Sequence, residues 1–195
     1  MEVLLRYSLT QIVIVWQHLT TARLPTEEVS FLISVFISPQ ITTCVKEYFG
    51  MGTTLILGYI RNEKLLMCNI GDSRLYSYDE NNLEQLSEDQ TYVQFLYKTG
   101  KIKKEDIKIH PKRNVLMNAL GTYPSLSIVT KIFNEKPKKI MVCSDGLYNL
   151  VEEEDVLSIL NLKVDLNTKI DLLIDKANEN GGTDNIAVGL LEEIL

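Results

Sequence analysis

The stretch Lys139-Ile140-Met141-Val142-Cys143-Ser144-Asp145-Gly146-Leu147-Tyr148-Asn149-Leu150 decides how this chain is read. Ile140 to Cys143 are apolar and predict a buried strand. The strand ends on an acid, Asp145, and Gly146 follows at once, where a side chain would hinder a sharp turn or a close approach. Glu152, Glu153, Glu154 and Asp155 then crowd a helix N-terminus, where acids favour the dipole. Asp145 is thereby placed at the mouth of a strand, on rigid scaffold. Read alone, the stretch is equally a strand-to-helix turn with a capping Asp.

Two other stretches repeat the pattern. Asn69-Ile70-Gly71-Asp72-Ser73-Arg74 follows the apolar run Leu65 to Met67. Gly181-Gly182-Thr183-Asp184-Asn185 precedes the apolar run Ile186 to Leu191. Three times, an acid close to Gly stands at the edge of an apolar strand. Three carboxylates from separate strand edges can converge, and unpaired they would repel one another. A hard divalent cation, Mg²⁺ or Mn²⁺, resolves such repulsion because it prefers oxygen ligands.

A length of 195 residues suits one domain, 1–195, with ample core. Net charge is −6, and the densest basic run is Lys101-Ile102-Lys103-Lys104, which argues against nucleic-acid binding. Cys44, Cys68 and Cys143 are odd in number and lie in apolar surroundings. They predict buried free thiols in a reducing cytosol, and hence a cytoplasmic protein. The apolar runs Leu9 to Trp16 and Val29 to Ile37 fall short of the roughly 20 residues that span a bilayer, so no membrane span is expected. Nor does the start read as a secretory signal.

Along the chain, Ile12 to Val15 is β-branched and predicts a buried strand. Glu27 to about Tyr48 predicts helix, interrupted near Pro39. Residues 53–60 and 65–78 predict strands joined by a turn at Arg61-Asn62-Glu63-Lys64, and Asn81-Asn82 marks the next turn. From Glu88 to about Gly121 the pattern becomes helical and charged. There Val93, Leu96 and Tyr97 share a face, Gly100 ends the helix, and a second short helix is expected over 114–120. Residues 126–133 and 139–144 predict strands. Leu166 to Gly181 predicts a helix capped by Asn167 or Thr168, with an apolar stripe of Ile170, Leu173, Ile174 and Ala177.

Taken in order, Gly50-Met51-Gly52-Thr53-Thr54, Gly71-Asp72-Ser73-Arg74, His110-Pro111-Lys112-Arg113-Asn114-Val115-Leu116, Ala119-Leu120-Gly121-Thr122, Ser144-Asp145-Gly146-Leu147 and Gly182-Thr183-Asp184-Asn185 resemble the metal-dependent, type 2C protein serine/threonine phosphatases, in their bacterial branch. The resemblance covers residues 50–195. It implies an α+β fold: an αββα sandwich of two mainly antiparallel sheets flanked by helices, incomplete here at the N-terminus. It implies that residues 88–120 form a flap beside the substrate. It also implies phosphomonoester hydrolysis by a metal-activated water, with Asp145 and Asp184 on one catalytic metal and Asp72 with Asp145 on a weaker one. Arg74 is expected to order its hairpin. His110 is expected to be structural despite its appeal as an acid or base, and Arg113 is a flap cation with a possible substrate role.

No Asp precedes Asp72. The resemblance places two acids in the first quarter, one of them opening an Asp-Gly-x-Gly-Gly-His stretch and bridging two metals. Here Trp16-Gln17-His18-Leu19-Thr20-Thr21-Ala22 stands in that place, with Gln17 at the bridging position. The rival reading makes residues 1–49 unrelated to the family. Either way the metal pair loses charge, and Mg²⁺ or Mn²⁺ is expected to bind weakly. Three readings remain open: an impaired phosphatase acting on a phosphoprotein, a pseudophosphatase docking a phosphoprotein or a serine/threonine kinase, or, least favoured, an acid cluster that binds one cation only for structure.

Overall fold

The computed structural model describes residues 2–6, 11–17, 52–61, 63–120, 126–135 and 137–192, with backbone alone for 2–6, 11–17 and 61. Its strands are β1 (Glu2–Arg6), β2 (Gln11–Gln17), β3 (Thr54–Arg61), β4 (Lys64–Ile70), β5 (Arg74–Tyr78), β6 (Leu83–Gln85), β7 (Val129–Phe133), β8 (Lys139–Cys143) and β9 (Val188–Glu192). Its helices are α1 (Tyr92–Lys98), α2 (Asp145–Tyr148), α3 (Glu153–Leu160) and α4 (Leu166–Glu179). One sheet runs β1-β9-β8-β5-β6 and the other β2-β3-β4-β7. All pairings are antiparallel except β2 with β3.

Strand alternation builds two cores. Leu75, Ile140, Val142 and Leu191 face inward and meet Ile56, Ile60, Leu65 and Met67 of the second sheet. Their neighbours Tyr76, Met141, Cys143 and Leu190 face outward under the helices, against Leu147, Val156, Leu160, Ile170, Leu173 and Ala177. β8 is therefore covered on both faces, which is why its sequence is a continuous apolar run. The expected stripe of α4 is this contact: Ile170, Leu173 and Ala177 are buried and Ile174 is partly so. Each fully buried Leu or Ile there is worth roughly 1.5–3 kcal/mol.

Several expectations need correction. Residues 65–78 are not one strand. The chain leaves β4 at Ile70, bends through Gly71-Asp72-Ser73, and enters β5 in the other sheet. Gly71 has φ +95°, and a Cβ there would lie 2.4 Å from the Thr54 methyl carbon, so the crossing requires glycine. Residues 114–120 are not helical. They run past α1 with isolated bridges from Leu116 to Thr91 and from Leu120 to Thr53. The α4 cap is Asp165, whose Oδ1 accepts from Thr168 N at 3.1 Å. Tyr97 is 39% exposed, leaving Val93 and Leu96 as the buried face of α1. The helix expected over 27–48 lies outside the described residues, as does Cys44. Cys68 and Cys143 are buried free thiols, and burial pushes them up to about 11 and about 12. Among the described residues no helix is long and apolar enough to cross a membrane.

Candidate metal centre

β9, β8 and β5 are neighbours in the five-stranded sheet. Arg74, the first residue of β5, pairs with Cys143, the last of β8, and Cys143 pairs in turn with Val188, the first of β9. The three strands thus end at one sheet edge. Asp72 and Asp145 each lie two residues beyond the Arg74–Cys143 pair, so adjacent strands deliver them to the same place. Asp184 lies on the segment entering β9 at that edge. Ser144 ties the second and third segments together. Its N donates to Ala187 O at 3.0 Å, its Oγ donates to Asn185 O at 3.2 Å, and it accepts from Ala187 N at 2.9 Å. A Cβ on Gly146 would stand 2.3 Å from Asn185 O, so only glycine lets the α2 turn sit against this segment.

Asp72 is 7% exposed. Burial, then the charge of Asp145, then that of Asp89, raise its carboxyl to about 7, against a donated hydrogen bond from the Tyr148 hydroxyl. The cation nearest in sequence offers little relief. Arg74 Nε donates to Asp89 Oδ1 at 3.0 Å and Nη2 to Asp89 Oδ2 at 2.6 Å. Its guanidinium carbon lies 3.5 Å from the centre of the Tyr148 ring, and Nη1 donates to the Tyr76 hydroxyl at 3.0 Å. Arg74 orders the start of β5, as expected.

Asp184 is exposed, and its Oδ1 accepts from Asn185 N at 2.7 Å. It shares the edge, but among the described residues no group of three His, Cys, Asp or Glu side chains closes into a metal-holding cluster. Gln17 is not brought to the edge. β2 runs parallel to β3, with Gln11 opposite Thr54 and Gln17 opposite Ile60. Thr54 is the residue at the Asp72 end, where its Oγ1 is 2.8 Å from Ser73 Oγ. Gln17 therefore stands at the far end of β2, roughly 20 Å along the strand. His110 holds a turn, its Nδ1 accepting from Lys112 N at 3.1 Å. Arg113 and Asn114, by contrast, line a cavity of about 60 Å³ together with Asp72, Asp89, Lys108, Tyr148 and Asn149. Tyr148, Asp89 and Ser144 were not singled out by their sequence. Tyr148 was legible in principle, being one helical turn past Asp145 on the same short helix.

Residues 13–176 match the family described as protein phosphatase 2C. The serine/threonine phosphatase stp of Listeria welshimeri is 42% identical over 147 residues, covering 75% of this chain and 58% of its own length. The chain thus spans less than two thirds of that relative. Among solved structures, the serine/threonine phosphatase Stp1 from Staphylococcus aureus superposes with a TM-score of 0.78 at 25% identity, covering 89% of this chain and 71% of that one. The catalytic domain of the phosphatase PstP, solved in complex with two manganese ions, gives 0.68 at 28% identity, covering 79% and 64%. Sequence motifs, sheet order and these matches agree, and the chain belongs to the protein phosphatase 2C family.

Proposed function

We propose that the chain acts as a single phosphatase-like domain, with residues 88–120 as its flap, and that it hydrolyses phosphoserine and phosphothreonine in a phosphoprotein slowly. The observation that carries this is the shared edge of β5, β8 and β9, where Asp72, Asp145 and Asp184 emerge. The donor set fits Mg²⁺ or Mn²⁺: it is all oxygen, and the charge of Asp145 raises the Asp72 carboxyl, a repulsion that a divalent cation would relieve. Asp72 and Asp145 would hold that ion, with Asp184 beside them. When bound, it supplies charge neutralisation for a phosphoryl group and an acidified water. The chain's own residues fix the geometry. Tyr148 orients Asp72, and Ser144 with Gly146 locks the Asp145 turn to the Asp184 segment. One weak cation site and low turnover are the expected outcome, a reading supported by the lack of a closed three-acid group among the described residues and of any Asp before Asp72.

The lack of a closed three-acid group among the described residues also supports a second reading, a pseudophosphatase that docks a phosphoprotein or a serine/threonine kinase without turnover. Calorimetry of the full chain with Mn²⁺, paired with hydrolysis of a phosphothreonine peptide, separates the two. One weak site and slow release of phosphate, both lost in Asp145→Ala, are expected. Peptide binding with no phosphate release would establish the second reading. Two tight sites, or a signal unchanged by Asp145→Ala, would overturn the site assignment.

A further inference from the structure

Gly71 lets the chain leave one sheet for the other, and the same freedom would let Asp72 wander unless something fixes the bend. Asp72 follows Gly71 directly and faces the like charge of Asp145. Its carboxyl is held by the Tyr148 hydroxyl, and its backbone depends on how Gly71 is fixed. One residue outside the acid cavity supplies that restraint. Gln90 N donates to Gly71 O at 3.0 Å, and Gly71 N donates to Gln90 Oε1 at 2.7 Å. Backbone and side chain of Gln90 thus take both polar groups of Gly71. The Thr54 side chain fills the space that a Cβ on Gly71 would need.

The Gln90 amide is itself fixed. Asn118 is buried, its Nδ2 donating to Ser127 O at 2.6 Å and its Oδ1 accepting from Ser127 N at 3.3 Å. Those two bonds settle which end of the Asn118 amide faces Gln90. Asn118 Nδ2 also donates to Gln90 Oε1 at 2.6 Å, so this one oxygen serves two donors, Gly71 N and Asn118 Nδ2. Gln90 Nε2 donates to Ser127 O at 3.3 Å, and Gln90 O accepts from Met117 N at 2.8 Å. Gln90 and Asn118 line an open groove of about 250 Å³ with Gln94, Phe95 and Met117. Removing the Gln90 amide extends this groove towards the groups it served, and water can take them up. The bend would then loosen without polar groups being stranded.

Resting on the metal-centre reading above, we propose that Gln90 is a positioning residue: through Gly71 it fixes the backbone of Asp72, so that the carboxylate stays beside Asp145 to receive a divalent cation. Two measurements on the full chain test this. Without metal, hydrogen exchange reports the Gly71 amide; with Mn²⁺, calorimetry reports the cation. Gln90→Met keeps the length of the side chain and removes its amide. It should speed Gly71 exchange about fivefold, the scale of one hydrogen bond. It should weaken Mn²⁺ binding about tenfold, the scale of losing a group that orients a metal ligand. Hydrolysis of a phosphothreonine peptide should lose more in kcat than in KM. Gln90→Glu retains an acceptor for both donors and should keep Gly71 exchange near the parent rate and Mn²⁺ affinity within about threefold. Gln94→Met alters the same groove away from Gly71 and should leave both readouts within about twofold. Unchanged exchange in Gln90→Met, faster exchange with unchanged Mn²⁺ affinity, or an equal loss in Gln94→Met or Gln90→Glu would overturn the proposal. A parent chain that takes up no Mn²⁺ would overturn it together with the metal-centre reading. If Mn²⁺ binding weakens in Gln90→Met while no chain releases phosphate, the positioning role stands and the phosphatase reading falls.

Discussion

At the scale of single residues, the site edge contrasts two acids. Asp89 is half-buried but fully served, by Arg74 and by Gln85 Nε2 at 2.8 Å. Asp72 is more deeply buried and faces a like charge. Arg74→Ala should therefore cost about 3–5 kcal/mol in denaturant unfolding, because it strands Asp89. Arg74→Lys should recover only part of this, since an ammonium cannot make the same paired contact or stack as flatly on Tyr148. Asp72 dictates the pH response. Its folded carboxyl is raised to about 7, so the folded chain binds more protons than the unfolded one between about pH 4 and 7. In the absence of divalent cation, stability should fall as pH rises through that window and level off above it. Asp72→Asn should flatten the profile there, as read from urea midpoints at stepped pH. A wild-type profile that rises through the window would contradict the burial of an uncompensated Asp72.

At the scale of elements, the acid-bearing turns depend on backbone contacts that glycine permits. Gly146→Ala would push a methyl into Asn185 O, separating α2 from the segment before β9. A loss of about 1–3 kcal/mol is expected, the usual penalty for overpacking, with weaker Mn²⁺ binding as the second readout. Elements with a strong local pattern were legible in the sequence: β8 by its apolar run, α4 by its stripe, α3 by its acidic first turn, and the hairpin between β3 and β4. Asp72 and Asp145 were legible as neighbours because each ends an apolar strand beside glycine. What escaped was set by tertiary context. The break between β4 and β5 is invisible to periodicity, since both halves alternate and only the change of sheet at Gly71 separates them. Residues 114–120 carry helix-compatible side chains, but their backbone is bound to Thr53, Gln90 and Tyr92. Asp165 is hard to pick out as the cap from sequence, because two good capping residues, Asn167 and Thr168, follow it. The resemblance puts Gln17 at the bridging position, but strand direction, which sequence does not encode locally, puts it at the other end of its sheet.

At the scale of the whole molecule, the order β1-β9-β8-β5-β6 sets the latest of the described strands inside the sheet, between the earliest one and β8. The ties that position Asp145, from Ser144 to Asn185 and Ala187, belong to the same late segment. A ribosome releases the chain N-terminus first. While β8 is already outside, one of its flanks is open, β1 has no partner in the sheet, and the Asp145 turn has nothing to rest against. The acid-bearing edge therefore assembles only once the β9 segment has joined β8. A chain whose β9 segment has not yet emerged has Asp72 and Asp145 in sequence but no finished edge to hold them together.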